Sequence, residues 1–345
     1  MTPVQEMVRR YHQLSAADRL SFYMTLTNTV DIDKENMQEL QMEVRFKEER
    51  KCMHCGSSRF VKNGHRNDGT QRFLCRECGK SFLASTNSIV SGTHKRLSVW
   101  KKYFECLMEA KTLKASAEEC GISMGTAFQW RHRILDCMQK LEEKVCLDGT
   151  VEADETFFNL SYKGNHSGSS RFSMPREPHA RGGGVHAKGL SGEKVCVLCA
   201  VNEDGIPVAK VGKLGKVSRE CVEKALSGHI SPDAVLVTDN EKAYIGFSEA
   251  LGARLVQMDT DRRVKGSFNI QRVSAYHSCI RSFVSRFKGV STKYLDNYLA
   301  WYNLVVCSPE ERRDTAGLLM CHALGEEKKL LWKDLADRPA VPALV

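Results

Sequence analysis

The sequence contains no apolar run that could cross a membrane. The longest clear one, VCVLCAV at 195–201, is far shorter than the roughly 18 residues of a membrane span. The first residues, MTPVQEMVRRYHQ, lack the apolar core of a secretory signal peptide. We therefore expect a cytoplasmic protein that has no membrane partner.

The sequence also lacks internal repeats, long low-complexity tracts and the G-x-x-x-x-G-K-[ST] pattern of a phosphate-binding loop. These absences argue against a repeat protein and against a P-loop nucleotide hydrolase. The chain has 345 residues, of which 42% are hydrophobic and 27% charged, so it can form two or three globular domains.

Disulfide bonds are not expected, although the chain has 14 cysteines. No export signal is present, and a reducing cytosol disfavours disulfides. Cys196 and Cys199 form a C-x-x-C inside an apolar, strand-like run. Because redox motifs need an accessible thiolate, this pair is interpreted as core packing.

Four other cysteines have the spacing of a structural zinc site. CMHC at 52–55 and CREC at 75–78 are each followed by glycine, which permits the unusual backbone angles of a tight turn. Zinc takes four thiolates in a closed tetrahedron, and each C-x-x-C supplies two of them. The pattern predicts a zinc ribbon whose structural zinc is bound by Cys52, Cys55, Cys75 and Cys78.

The stretch KASAEECGISMGTAFQWRHRIL, at 114–135, has the layout of a helix-turn-helix. Ser116 and Glu119 are predicted to form a capping box at the start of the first helix. Gly121 is placed to make the turn, and Ser123 is placed to cap the second helix. We expect the motif to bind DNA.

The second helix of this motif has an apolar side and a polar side. Ala127, Trp130 and Ile134 share one face, which we expect to be buried. The residues assigned to the DNA side are Gln129, Arg131, His132 and Arg133. The formal net charge of +9 also favours a polyanionic partner.

Two aspartates end strand-like runs in the second half of the chain. Asp154 lies in VEADETFF and Asp239 in AVLVTDN, and Glu152 and Glu155 are nearby spares. Aspartates on neighbouring strands bring two carboxylates together, and hard divalent ions such as magnesium choose carboxylate ligands. Two such ions can place charge at both the attacking and the leaving oxygen of a phosphodiester.

The chain resembles the ISXO-like insertion-sequence transposases over roughly residues 45 to 305. The resemblance is carried, in order, by the ribbon, GISMGTAFQWRHRIL, VEADETFF, VLVTDNEKAY and RVSAYHSCIRSFVSRFKGVSTKYLDNYLAWYN. It implies an RNase H-like catalytic domain, with a mixed five-stranded sheet flanked by helices, and a magnesium- or manganese-dependent acidic triad. By motif match, Asp154 takes the first acidic position and Asp239 the second.

The third ligand of that triad is Glu or Asn in the family, and the matching residue here is Ser274. Asn269 stands where His is usual, Arg272 where Asn or Gly is usual, and Arg281 where Lys is usual. A serine hydroxyl is a poorer magnesium ligand than a carboxylate. The alternatives are Asn269, water, or His277, which lies one helical turn from Ser274 on the same side.

The helix that carries Ser274 is basic and amphipathic. Val273, Tyr276, Ile280, Phe283, Val284 and Phe287 form an apolar stripe that we expect to pack on the sheet. The basic residues outside this stripe are predicted to hold DNA phosphates, and they are Arg272, Arg281, Arg286 and Lys288.

These observations predict an α+β multidomain protein. The expected order is N-terminal helices at 1–46, a zinc ribbon at 47–92, a helix-turn-helix at 93–145, an RNase H-like α/β domain at 146–305 and a helical tail at 306–345. The expected function is a DNA transposase that binds double-stranded DNA at its element ends and target, as two or more subunits.

Two alternatives stay open. The first is a non-catalytic DNA-binding protein that has kept the fold after losing the third ligand, which Ser274 favours. The second is a zinc-ribbon module for RNA or a protein partner, joined to an unrelated α/β domain. The second leaves the two aspartates and the basic helix unexplained.

Overall fold

The structure is a computed structural model, and it describes residues 41–42, 45–46, 50–165, 172–175, 177, 193–259, 264–306, 320, 322–326 and 331–339. The chain divides into two compact units, Met1–Ile134 with Pro309–Leu330 and Leu135–Ser308 with Leu331–Val345. In the described ranges, no helix combines the length and apolar character of a bilayer-spanning segment. The expected helices at 1–46 and 306–345 lie mostly outside these ranges, and the domain boundaries stay predictions.

A small antiparallel sheet carries the two cysteine pairs. Its strands are β1 (Phe60–His65), β2 (Gln71–Cys75) and β3 (Ser81–Leu83). The rings of Phe60, Phe73 and Phe82 pack together, with centroids 5.1 to 5.5 Å apart. Gly56 and Gly79, which follow the cysteine pairs, have φ of 76° and 67°, so the glycine turns predicted there are confirmed.

Three helices follow: α1 (Leu97–Met108), α2 (Leu113–Cys120) and α3 (Met124–Glu142). The indole rings of Trp100 and Trp130 stack with their centroids 3.8 Å apart and hold α1 against α3. The buried face predicted for α3 is confirmed, since Ala127, Trp130 and Ile134 are almost fully inaccessible.

The turn between α2 and α3 forms as the sequence predicts. Gly121 adopts the left-handed conformation that ends α2. Ser123 caps α3, since its Oγ accepts a hydrogen bond of 3.1 Å from the backbone N–H of Thr126.

The capping box predicted at the start of α2 is wrong. The helix begins one turn earlier than expected, because Thr112 supplies the capping hydroxyl and accepts from the N–H of Ala115 at 3.3 Å. Ser116 therefore lies inside the helix, where it is buried. Glu119 pairs instead with Lys111 at 2.6 Å.

A mixed five-stranded sheet organises the second unit. Its strands are β4 (Thr150–Asn159), β5 (Lys194–Asn202), β6 (Pro207–Leu214), β7 (Val235–Thr238) and β8 (Arg254–Gln257), and they lie in the order β6–β5–β4–β7–β8. Strand β4 pairs antiparallel with β5 and parallel with β7, β5 pairs antiparallel with β6, and β7 pairs parallel with β8. The mixed five-stranded sheet implied by the resemblance is confirmed.

Helices cover both faces of this sheet. Apart from the large sheet, the elements are α4 (Arg219–Leu226), α5 (Ala243–Leu251), a hairpin of β9 (Val264–Lys265) and β10 (Phe268–Asn269), α6 (Gln271–Ser285), a 3-10 turn (Thr292–Tyr294), α7 (Leu295–Trp301), a π turn (Tyr302–Val306) and α8 (Trp332–Ala336). Val151 and Ala153 of β4 share a core with α4 and α5. The alternate residues of β4 face α6, which packs on β4 and β5.

The apolar stripe of α6 is buried as predicted. Val273 and Ile280 are fully inaccessible, and Tyr276, Phe283 and Val284 are buried beside them. Phe287 lies just beyond the helix and packs its ring against Phe283, with centroids 5.2 Å apart. The stripe therefore holds α6 against the sheet.

Both cysteines of the 196–199 pair are buried, as the core interpretation requires. Three residues apart on a strand, they point to opposite faces of the sheet. Cys196 belongs to the core under α4 and α5, whereas the Cys199 thiol contacts the carbonyl of Val197 at 3.8 Å. The two thiols therefore have no common site.

A buried ion pair joins the end of α3 to the sheet. The carboxylate of Glu142 is 1% exposed and lies 2.8 Å from Nζ of Lys210 on β6. The side-chain amide of Asn303 donates to the other carboxylate oxygen. A buried charge of this kind is tolerated only while its partners remain.

We predict that Lys210→Met lowers the free energy of unfolding by about 3–5 kcal/mol, because it leaves the buried Glu142 carboxylate without its cation. Urea denaturation followed by tryptophan fluorescence measures the change. Arg219→Met is the control, since it removes an exposed pair with Glu223 and should have little effect. Equal, small effects of the two substitutions would refute the assignment.

Candidate functional sites

The four predicted cysteines converge. Their sulfurs lie within 4.8 Å of one another, with 3.9 Å between Cys52 and Cys78 and 3.6 Å between Cys55 and Cys75. Zinc–sulfur bonds of about 2.3 Å in a tetrahedron place the sulfurs about 3.8 Å apart, so the cluster has the dimensions of a zinc site.

The two predicted aspartates are neighbours on adjacent interior strands of the large sheet. Asp239 directly follows β7 as predicted, whereas Asp154 lies in the middle of β4 and does not end a strand, because β4 continues to Asn159. Strands β4 and β7 run parallel in a register that aligns Ala153 with Thr238, so the next residues along each chain are Asp154 and Asp239. Burial, reinforced by the negative charge of Asp239, raises the pKa of Asp154 to about 6. Two carboxylates that repel each other in a half-buried position form a cation-binding arrangement.

Each aspartate is oriented by its own backbone. Oδ1 of Asp154 accepts from the N–H of Glu155 at 2.8 Å, and Oδ1 of Asp239 accepts from the N–H of Glu241 at 3.1 Å. These short local hydrogen bonds restrict the rotation of the two carboxylates.

Glu155, the next residue of β4 after Asp154, adds a further acidic group. Burial, followed by the charges of Asp154, Asp239 and Glu241, raises the pKa of Glu155 to about 7. The hydroxyl of Tyr244, on α5, donates to its carboxylate at 3.3 Å. As the next residue on the strand, Glu155 points to the face opposite Asp154.

Strand β4 and helix α6 contact each other at a regular interval. Glu152, Asp154 and Thr156 lie on one face of β4. Their partners on α6 are the Arg272–Val273 step, His277 and Arg281, in the same order. Two strand residues advance about 6.6 Å and four helical residues about 6 Å, so the two repeats stay in register.

The first contact supplies the acidic group that the first turn of α6 lacks in its own sequence. One carboxylate oxygen of Glu152 accepts from the backbone N–H of Val273 at 3.1 Å, and the other lies 2.8 Å from Nη1 of Arg272. The Glu152 side chain is 1% exposed. A carboxylate from the strand therefore caps the helix, and Glu152 is not available as a spare metal ligand.

The next contacts lie beside the acidic pair. Nδ1 of His277 lies 3.9 Å from Oδ2 of Asp154. Nε of Arg281 donates to the hydroxyl of Thr156 at 2.9 Å. Burial, followed by the nearby Arg281 charge, lowers the pKa of His277 to about 4, so its imidazole is neutral near pH 7.

A cleft of about 460 Å³ opens along this face of α6, lined by Ile270, Gln271, Ser274, His277 and Arg281. Ser274, at the third-ligand position predicted from the sequence, is exposed. The amide oxygen of Asn269, the other polar candidate, instead accepts from the N–H of Gln271 at 3.0 Å. The cleft, Asp154 and Asp239 together form the candidate active site.

The four basic residues predicted on the outer side of α6 are all exposed. Two of them also serve the fold, since Arg272 pairs with Glu152 and Arg281 binds Thr156. Arg286 and Lys288 lie beyond these contacts, at the other end of the helix.

The outward orientation predicted for three residues of α3 is wrong. Arg131, His132 and Arg133 are 0%, 1% and 8% exposed, so they cannot reach a DNA groove. Nη2 of Arg131 donates to the carbonyl of Lys111 at 2.7 Å, and Nη1 of Arg133 donates to the carbonyl of Ile89 at 2.7 Å. Gln129 alone of the four is partly exposed.

Sequence reasoning missed some of these features although signals were present. Arg131 follows Ala127 by four residues and so belongs to the helical face that Trp130 buries. Thr156 continues the two-residue spacing of Glu152 and Asp154 and faces the same helix. The contribution of Tyr244 had no signal, because α5 meets β4 only in the folded sheet.

Three comparisons with known proteins extend this description. Residues 146–302 match the family described as the ISXO2-like transposase domain. A protein of Halobacterium salinarum (strain ATCC 700922 / JCM 11081 / NRC-1), described as an uncharacterized protein in transposable element ISH50, is 20% identical over 276 residues. That alignment covers 79% of this chain and 90% of the relative.

Among solved structures, the chain is similar to one in the intasome of simian T-cell lymphotropic virus in complex with the PP2A regulatory subunit B56 gamma. The identity is 12%, the TM-score is 0.29, and 59% of this chain and 68% of the other are covered. A Mos1 mariner paired-end complex with Mn also matches, at 12% identity and a TM-score of 0.25, over 63% of this chain and 73% of that chain.

We predict one zinc ion per chain, held by the four-cysteine cluster. Cys75→Ser should abolish the stoichiometric zinc and unfold the ribbon, because a sheet of this size depends on its metal. Elemental analysis of the purified protein and limited proteolysis test this. Cys279→Ser, at an exposed cysteine outside the cluster, is the control and should keep its zinc. Undiminished zinc in the Cys75 variant would contradict the assignment.

We predict that Asp154→Asn stabilises the protein at pH 8 when no divalent cation occupies the acidic site. The folded pKa of about 6 lies above the unfolded value of about 3.9, so the carboxyl favours folding below pH 4 and loses that contribution as the pH rises through 6. Asparagine removes this loss, which is on the order of 1–3 kcal/mol.

Urea denaturation at pH 5 and pH 8, in buffers freed of divalent cations by a resin that spares the bound zinc, compares the variants. Asp233→Asn, at an exposed aspartate just before β7, is the control and should show no pH-dependent gain. A loss of stability in Asp154→Asn at pH 8 would contradict the prediction.

Proposed function

We propose that the protein is an insertion-sequence transposase that cuts and joins DNA with divalent cations, since residues 146–302 match the ISXO2-like transposase domain. The observation that carries the proposal is the adjacency of Asp154, within β4, and Asp239, directly after the parallel strand β7, near an open cleft along α6. The mixed sheet flanked by helices supports an RNase H-like catalytic domain.

The donor set fits divalent cations. Asp154 and Asp239 are two hard oxygen ligands in one half-buried position, and their mutual repulsion is relieved when a cation binds between them. Magnesium or manganese held there would stabilise the charge that develops on the attacking and leaving oxygens of a phosphodiester. Backbone N–H groups of Glu155 and Glu241 keep these ligands oriented.

The reaction proposed is phosphoryl transfer without a covalent enzyme intermediate. Water attacks a phosphorus at the element end, a P–O bond to the water oxygen forms, and the bond to the 3′ oxygen breaks to leave a free 3′-hydroxyl. That hydroxyl then attacks a phosphorus of the target strand, the bond from this phosphorus to the target's own 3′ oxygen breaks, and the released target end takes up the proton as a free 3′-hydroxyl. Arg281, exposed on the cleft beside Asp154, is placed to bind the DNA backbone.

The remaining parts of the chain are assigned to DNA binding. The ribbon carries six basic residues that suit phosphate contact, namely Arg59, Lys62, Arg66, Arg72, Arg76 and Lys80. We assign the α2–α3 pair to a helix-turn-helix, which the left-handed Gly121 turn and the Ser123 cap between the two helices support. Because Arg131 to Arg133 are buried, the exposed start of α3, from Ser123 to Gly125, replaces them as the surface offered to DNA. We propose that two or more subunits pair the element ends.

A second function is favoured by one observation. The third-ligand position carries Ser274, and among the described residues the only set of three or more metal-binding side chains that converge on one point is the cysteine cluster. A protein with this site and no cleavage activity would be a sequence-specific DNA-binding protein that retains a transposase fold.

Strand-transfer assays separate the two functions. Purified protein is incubated with magnesium or manganese and with labelled DNA from both flanks of its gene, chosen to include any matched terminal inverted repeats. The wild-type protein should yield joined products, and Asp154→Ala should reduce them about a thousandfold or more, because several kcal/mol of charge stabilisation is lost. Binding of the same DNA should persist.

Asp233→Ala is the matched control, since this exposed aspartate lies just before the strand that Asp239 ends, and it should retain activity. Joined products that survive Asp154→Ala would refute the proposed active site. Sequence-specific binding with no cleavage in either metal would support the DNA-binding function instead.

A further inference from the structure

Arg281, on α6, is an exposed arginine whose side chain is nonetheless held in place. Its Nε and Nη2 both donate to the hydroxyl of Thr156 on β4, the Nε bond being 2.9 Å long. Thr156 is fully buried, and a side chain branched at Cβ has few χ1 rotamers, so this acceptor is fixed. The sheet therefore orients a guanidinium that lies at the surface.

The contact with Thr156 uses one edge of the guanidinium. The group carries five N–H donors in a rigid, planar fork, and one edge of that fork is formed by Nε and Nη2. A second edge, formed by Nη1 and Nη2, has no partner among the described residues. Two N–H groups on such an edge match two oxygens of a phosphate in a bidentate contact.

The partner of Arg281 does not neutralise its charge. Arg272, on the same helix, pairs with the Glu152 carboxylate at 2.8 Å, so its charge is compensated. Thr156 offers an uncharged hydroxyl, and Arg281 forms no salt bridge in the part of the chain that the structure describes. Burial raises the pKa of Asp154 to about 6, and the charge of Arg281 opposes this rise, so the guanidinium acts on the acidic pair.

The cleft along α6 is the space that the remaining N–H groups of Arg281 can serve. Its volume is about 460 Å³, and Arg281 lines it together with Ile270, Gln271, Ser274 and His277. None of these lining residues is acidic, and His277 is neutral near pH 7 because burial lowers its pKa to about 4. Since Thr156 is inaccessible, the bound edge faces the sheet, and the other donors are those that an anion in the cleft can reach.

We propose that Thr156 is a positioning residue for substrate DNA: it holds one edge of the Arg281 guanidinium, so that the other edge binds a backbone phosphate in the cleft. The inference rests on the proposed function, which supplies the DNA and the acidic pair beside the cleft. A long side chain that is already ordered loses less conformational entropy when DNA binds, and it presents the phosphate in one orientation.

The competing role for Thr156 is structural, because the same contact fastens α6 to β4. The two roles differ in how substitutions combine. A positioning residue changes the reaction only through Arg281, so its loss has no effect once Arg281 is gone. A structural residue acts independently, and the effects of the two substitutions multiply.

NMR of the full-length, zinc-loaded protein labelled with ¹⁵N-arginine tests the contact without catalysis. The Nε–H signal of Arg281, identified by its loss in Arg281→Met, should exchange slowly with water because Thr156 accepts its hydrogen bond. Thr156→Val keeps the shape of the side chain and removes the acceptor, so exchange should become at least about tenfold faster. Thr156→Ser should restore slow exchange.

DNA binding is followed by the same signal in an Asp154→Ala background, where the substrate is not cut. A duplex taken from a flank of the gene should shift the Arg281 signal. The slope of log K against log salt concentration should fall by about one in Arg281→Met, because one phosphate contact is lost. Thr156→Val should leave that slope unchanged, because the charge remains.

Strand-transfer rates give the reaction readout. Thr156→Val should lower the rate about tenfold and Arg281→Met about a hundredfold, the range expected for hydrogen bonds to a charged group. The double variant should be no slower than Arg281→Met alone. Thr156→Ser should recover most of the wild-type rate, because it restores the hydroxyl.

Thr292→Val is the matched control. Thr292 is also buried, and its hydroxyl accepts a hydrogen bond of 2.9 Å from the backbone N–H of Ser161, outside the cleft. The substitution makes the same chemical change in the same compact unit. It should keep the wild-type rate, the salt dependence and the slow exchange of the Arg281 signal.

Each outcome bears on one of the two proposals. Effects of Thr156→Val and Arg281→Met that multiply, or Nε–H exchange that Thr156→Val leaves unchanged, overturn the positioning role and leave the proposed active site intact. A wild-type protein that joins no DNA in either metal overturns the proposed function. The titration still decides the phosphate contact in that case, since an Arg281 signal that DNA does not shift overturns it.

Discussion

The packing of α6 along β4 is the constraint on which the candidate active site depends. The strand presents Glu152, Asp154 and Thr156 at two-residue intervals, and the helix meets them with the Arg272–Val273 step, His277 and Arg281. The outer contacts are a capped helix end and a guanidinium–hydroxyl contact, both partly or fully buried. They hold the central pair, Asp154 and His277, opposite each other. The geometry of the acidic site therefore follows from the match between the advance of two strand residues and that of four helical residues.

The carboxylates of Asp154 and Glu155 destabilise the fold when they are charged. Burial and mutual repulsion raise the pKa of Asp154 to about 6 and that of Glu155 to about 7. A protein selected only for stability would place apolar or paired side chains here, as it does at Val151 and Ala153 on the opposite face of the same strand. Accumulated, unpaired negative charge in a half-buried position is typical of a site that binds cations.

Much of the fold was accessible from the sequence, because local patterns encode it. The C-x-x-C pairs with their glycines, the buried face of α3 and the apolar stripe of α6 each follow from residue type and local spacing, and each is found in the structure. The errors arose where two local signals competed. Thr112 and Ser116 are both capping residues, and only the packing of α2 selects the first. Arg131 is charged, yet its helical position lies on the buried face, and burial prevailed.

The sequence by itself determined the metal-binding cysteines, the two aspartates and the helix that lacks an acid, since each is a matter of residue type and spacing. Only the tertiary structure decided which groups share a site. It placed Asp154 beside Asp239 through a parallel register between strands more than 80 residues apart. It also removed Glu152 from the ligand set by binding it to Arg272, and brought the ring of His277 to Asp154. Such pairings depend on sheet order and helix placement, and residue spacing along the chain does not contain them.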